Sequence, residues 1–180
     1  MTLTSDVELD LRPLSAPIVP DRRAGESREV RLARFAAANG LSYRRSRAGS
    51  PVDGGLFSGT YAARTLRHFA GTLGGLEVEV GNHRALTRRG VPWSDVRTGY
   101  VLARIPSALP GLAGAAPELG PKRESVPERL PAPSAVPAAY VERVGATVIA
   151  HTPDPFDFAR TTDWYLVEAL LRHVVSLAAV

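Results

Sequence analysis

The sequence predicts an α+β fold, an antiparallel sheet of about five strands with an N-terminal and a C-terminal helix packed on it. Three observations predict it. A stretch with helical apolar spacing opens the ordered part of the chain and a second one closes it. Between them, apolar and polar residues alternate with a period of two in several runs set apart by turn residues. The strand–helix–strand alternation that builds parallel sheets is missing. At 180 residues the chain is long enough for one domain with a core. The expected organisation is a flexible tail over 1–25 and a single domain over 26–180, carrying a Pro-rich irregular insertion at 106–137.

In the tail, "LSAPIVPDRRAGES" mixes prolines, charges and small residues without a period. Val7, Leu9 and Leu11 alternate and offer at most a short edge strand. The first helix falls in "SREVRLARFAAANGLSY", 27–43, where Leu32, Phe35, Ala36 and Asn39 share one face. Ser27 is placed to cap it, and Asn39-Gly40 supplies the left-handed residue that ends it. Leu41 to Tyr43 continue extended, and 46–55 reads as a loop. A strand over about 64–71, a turn at Gly74-Gly75 and the strand "LEVEVGNHRAL" follow, with Leu76, Val78 and Val80 on one face. In the strand at 98–109, Tyr100, Leu102 and Arg104 oppose Val101, Ala103 and Ile105. The insertion holds eight prolines, which break helices and remove donors. A hairpin turning near Gly145 comes next. Thr161 or Thr162 is placed to cap the final helix, whose buried stripe is Trp164, Val167, Leu171 and Val174.

Composition excludes several classes. There is no cysteine, so disulfides and thiolate metal sites are ruled out. No apolar run of membrane-spanning length occurs, and the acidic start of "MTLTSDVELDLRPL" does not suit a signal peptide. The net charge is +4, and Lys122 is the only lysine, so the positive charge is almost all arginine. That bias fits a GC-rich genome as well as it fits anion binding.

Candidate site residues are few. His68, His83, His151 and His173 show no metal-ligand spacing. His68 and His83 are expected level with each other on paired strands. Gly81-Asn82 reads as a bulge or strand end, which makes His83 partly exposed and His83→Ala nearly neutral. Arg22-Arg23, Arg44-Arg45-Arg47 and Arg88-Arg89 read either as solvated surface or as a grip on phosphates. His151, Asp154 and Asp157 cluster in "HTPDPFDF", where the prolines equally suit a turn of self-bonded aspartates.

The ordered phrases "RLARFAAANGLSYRR", "GGLEVEVGNHRA", "TGYVLARIPSALPGL" and "VERVGATVIAHTPDPFDF" resemble a family of uncharacterised actinobacterial proteins, over roughly 28–112 and 140–178. The resemblance implies the soluble domain of proteins that are usually membrane-anchored; here a Pro-rich tail stands where their spans lie. It implies no activity.

The leading expectation is a non-enzymatic protein-interaction or scaffold module with an unknown protein partner. It is expected to be cytoplasmic, with association with a membrane partner allowed. No catalytic, cofactor-binding or metal residue is assigned. The alternative is an arginine-mediated binder of nucleic acid or anionic surfaces. A second alternative is a small hydrolase using His151, Asp154 and Asp157.

Overall fold

The computed structural model describes residues 25–52, 57, 60–73, 75–87, 94–104 and 127–178. The tail up to residue 24, with its expected edge strand, and most of the 106–137 insertion lie outside them. The described elements are α1 (Arg28–Ala38), β1 (Ser42–Ala48), β2 (Thr60–Leu73), β3 (Leu76–Thr87), β4 (Ser94–Arg104), β5 (Glu128–Leu130), β6 (Tyr140–Val144), β7 (Thr147–Thr152) and α2 (Thr161–Ala178). The seven strands form one antiparallel sheet in the order β1-β2-β3-β4-β7-β6-β5, and both helices pack against it.

The α+β class is as expected, but the sheet has seven strands rather than about five. β1 was expected only as a short extended segment followed by a loop. As an edge strand, "SYRRSRA" is solvent-exposed along most of its length and carries no apolar alternation. β5 is three residues long and lies in the described end of the insertion. There the chain pairs Arg129 with Glu142 and buries Val136, so this end of the insertion belongs to the sheet.

β2 is longer than expected because two bulges interrupt its period. Register shifts lie between Tyr61 and Arg64 and between Leu66 and Phe69. Each contains a residue with left-handed backbone, Ala62 (φ 49°) and Arg67 (φ 51°).

β3 corrects the reading of Gly81-Asn82. It runs without a break from Glu77 opposite Arg104 to Thr87 opposite Ser94. Gly81 is there for room: an added Cβ would stand 3.1 Å from the Tyr100 ring. His83 therefore sits within the strand and is 2% exposed, not a strand-end surface residue. Nor are His68 and His83 level. The second bulge sets Thr65 opposite His83 and leaves His68 beside Glu79.

Caps and turns follow local chemistry. The Ser27 hydroxyl accepts from the Val30 N–H at 3.3 Å, and Gly40 takes φ 66° after α1. Gly145 (φ 59°) turns the β6–β7 hairpin. α2 starts at Thr161, so the two threonines expected as caps lie in its first turn.

The main core lies between the helices and one face of the sheet. Phe69, Val78, Val80, Val101, Ala103, Val141, Val148 and Ala150 meet Leu32 and Ala36 of α1 and the α2 stripe. Trp164, Val167, Leu171 and Val174 are buried as expected, and the Trp164 indole N–H donates to the Phe158 carbonyl at 3.1 Å. Phe156 and Phe158 fill the gap between α2 and the sheet. Among the described residues no helix is long and apolar enough to cross a membrane.

Truncating Trp164 opens a cavity under both helices and strips its rings from Phe35, Phe69 and Phe158. Trp164→Ala is expected to cost about 3–5 kcal/mol. Tyr165→Ala, one residue on but 57% exposed, is expected to stay within about 0.5 kcal/mol of the wild type. Urea unfolding of the two variants measures both.

Candidate functional site

The face of the sheet that carries the core is only partly covered by helices. Directly opposed residues share a face, so the face can be read in rows across β1 to β4. Rows through Phe69–Val80–Val101 and Gly71–Val78–Ala103 lie in the core. The next row outward is Ser46–Leu66–Asn82–Gly99. Beyond it comes Arg64–Arg84–Arg97, three arginines directly opposed on β2, β3 and β4. Last comes Tyr61–Leu86–Asp95.

A row of like charges is unfavourable in a sheet. Asp95 offsets part of it. Its carboxylate accepts from Arg84 at 3.0 and 3.1 Å and from Arg97 at 3.1 and 2.9 Å. Those bonds, Arg84's first, hold the Asp95 carboxyl below its usual range. Arg64 has no carboxylate partner among the described residues, and neither do Arg45 and Arg67.

These side chains surround a cleft of about 590 Å³. Its described lining holds five arginines, Arg45, Arg64, Arg67, Arg84 and Arg97, and one carboxylate, Glu29. Leu66 and Pro155 supply its apolar wall. Glu29 accepts a hydrogen bond from Tyr43, whose hydroxyl is pushed above its usual range by burial and by that carboxylate. The bulge takes Arg67 out of strand alternation and places it in the cleft wall. Left-handed backbone at a non-glycine residue costs roughly 1 kcal/mol or more, and such strain gathers at functional sites.

The opposite face carries a buried polar layer. His68 bonds Glu79 at 2.9 Å, with Arg47 at 3.4 Å and Arg104 at 3.9 Å from the same carboxylate. Burial pushes Glu79 up, but the His68 bond and the two arginines outweigh it and leave its carboxyl below the usual range. His151 stands 3.5 Å from Glu142, both nearly inaccessible. The Phe57 ring packs against His83 at 4.5 Å and His151 at 4.7 Å. The Tyr100 hydroxyl and both His151 ring nitrogens have no hydrogen-bond partner among the described residues. Burial, then the Glu79 charge, drives the Tyr100 hydroxyl well above its usual range. Among the described residues no group of three or more His, Asp or Glu side chains is placed to hold a metal ion.

The residues singled out from the sequence are dispersed. His151 faces Phe57, whereas Asp157 is engaged on the helix side by Arg28 and by the Ala159 N–H, and Asp154 is exposed. His173 bonds the Pro131 carbonyl at 2.7 Å. Arg45 enters the cleft and Arg47 the opposite face; Arg22, Arg23, Arg88 and Arg89 lie outside the described residues. Arg64, Arg67 and Arg97 were not singled out. One signal was available. Once Leu76, Val78 and Val80 fix the core face, residues 82 and 84 fall on it by parity, and Asn and Arg there mark where the core stops. No family model, curated protein or solved structure matches the chain.

Burial first, and then the charge of His151, pushes His83 down to about 4. An unfolded histidine titrates near 6.5. Between about 4 and about 6.5 the unfolded chain therefore binds the proton and the folded chain does not, so stability is complete above that window and falls on acidification through it. The expected loss is about 3 kcal/mol. The Glu79 contribution is lost only at lower pH, since its carboxyl lies below the usual range. Urea unfolding at a series of pH values should show this slope, and His83→Gln should flatten it.

Proposed function

We propose that the protein is a non-enzymatic binding module for a polyanion, which it holds in the arginine cleft. The observation that carries the reading is the directly opposed row Arg64–Arg84–Arg97, joined in one cleft by Arg45 and Arg67. Without an anion this arrangement is self-repelling, with a single carboxylate serving two of the row. With an anion it becomes complementary. Guanidinium forks match phosphate oxygens two at a time, which suits them to phosphate-bearing polymers.

The reading keeps the non-enzymatic character expected from the sequence and names an anionic partner in place of an unspecified protein. A membrane-associated partner, implied by the family resemblance, is compatible with it where that partner presents an anionic surface. Hydrolysis by His151, Asp154 and Asp157 is less well supported, because the side chains of His151 and Asp157 are engaged on opposite faces of the sheet.

The test is binding at low salt to a labelled 20-nucleotide single strand, a 20-base-pair duplex and phosphatidylserine vesicles. At least one should bind. For three to five phosphate contacts, the log of the affinity for a nucleic acid should fall by about 2–4 per tenfold rise in salt. The double variant Arg64→Glu/Arg67→Glu should abolish binding. A flat salt response, or full binding by the double variant, overturns the reading. Arg67→Gly should weaken binding while leaving stability equal or slightly higher, since glycine accepts φ 51° without strain. Anisotropy titrations and thermal melts on the same samples measure the two effects.

A further inference from the structure

We propose that the polyanion is a single-stranded nucleic acid, with its phosphates along the arginine row and an unpaired base against Tyr61 and Leu86. The proposal rests on the cleft reading above and adds what lies beside the cleft. Tyr61 and Leu86 are directly opposed on β2 and β3, in the row next to Arg64–Arg84 and on the same face. Tyr61 is 55% exposed and Leu86 37% exposed. A second pocket of about 200 Å³ lies between the two rows, lined by Ala62, Arg64, Arg84, Ala85, Leu86 and Asp95. It shares Arg64 and Arg84 with the main cleft, so the two sites are contiguous.

The two sites differ in chemistry, and the difference assigns the parts of the ligand. The main cleft is dominated by guanidinium groups and suits phosphates. The smaller pocket has an apolar floor and the Asp95 carboxylate, which repels phosphate and can accept from a base amine. A positive groove beside an aromatic side chain is the pattern used to hold single strands, where stacking tolerates every base. A duplex keeps its base faces inside its own stack and leaves Tyr61 and Leu86 uncovered. A flat anionic surface reaches the exposed ends of the arginines but does not enter the pocket.

The first bulge of β2 makes this placement. Between Tyr61 and Arg64 the strand gains one residue over its partner. Without that extra residue Tyr61 and Arg64 would alternate to opposite faces. The left-handed backbone at Ala62 is therefore what puts ring and charge side by side.

The experiment uses the full chain and four probes: a 20-nucleotide DNA strand, the same strand as RNA, the corresponding duplex, and phosphatidylserine vesicles. Single strands should bind at least tenfold more tightly than the duplex. Tyr61→Ala should weaken single-strand binding by about fivefold or more, leaving the salt slope and the duplex affinity unchanged. Tyr61→Phe, which keeps the ring, should restore single-strand binding. Equal binding of strand and duplex with no effect of Tyr61→Ala, while Arg64→Glu/Arg67→Glu still abolishes both, overturns this proposal and leaves the cleft reading standing. So does binding to vesicles alone that is lost in the double variant. No binding to any probe removes both.

Discussion

The side-chain amide of Asn82 joins the halves of the structure. Its Nδ2 donates to the Phe156 carbonyl at 2.9 Å and its Oδ1 accepts from the Phe156 N–H at 2.7 Å. Both bonds are buried, and an amide satisfies a backbone donor and acceptor together without carrying charge. The clamp fixes the loop after β7 against the middle of the sheet. Opposite Asn82 on β4, Gly99 donates its N–H to the Asp154 carbonyl at 3.0 Å, and a Cβ there would stand 2.8 Å from the Phe156 ring. Side chain on one strand and bare backbone on the next therefore hold the same loop. From that fixed point Phe156 and Phe158 enter the core, α2 begins, and Pro155 forms a wall of the arginine cleft.

The clamp also marks a boundary. On its inner side the sheet face is apolar and covered by α1 and α2. On its outer side the same strands continue with arginines, a tyrosine and an aspartate. The longest strands, β2, β3 and β4, reach past the helices, and the two bulges of β2 re-aim its side chains where they do so. The arginine cleft and the core thus share one continuous set of backbone hydrogen bonds. Opening the cleft floor would therefore break hydrogen bonds of the strands that also carry the core.

The sequence makes some of this plain and conceals the rest for physical reasons. Helix α1, its Ser27 cap and its Gly40 end, the β6–β7 hairpin and the α2 stripe are legible because local spacing and capping chemistry decide them. The face assignment of β4 is legible because Val101 and Ala103 alternate with Tyr100 and Leu102. β1 is not, since an edge strand needs no apolar side, and β5 is too short to show a period. The role of "EVGNHR" was misread because glycine and asparagine usually mark turns. Here the glycine makes room for Tyr100 and the asparagine binds a loop 74 residues away in sequence. The arginine row was hidden for a related reason: its members are scattered at 64, 84 and 97, and only register brings them together. Arginine runs such as Arg44-Arg45 attract attention, yet consecutive strand residues point to opposite sides.

The border formed by β1 has a colloidal consequence. Within the described sheet this strand pairs on one side only, with β2, and a free edge is a template for a strand from another molecule. Arg44, Arg45 and Arg47 stand along that edge, with no acidic residue in the strand. A second copy approaching edge to edge would bring the same three cations against them. Their repulsion raises the barrier to stacking of sheets into aggregates, and it is strongest in dilute buffer, where ions screen least. The arginines of this strand thus act as spacers between identical molecules.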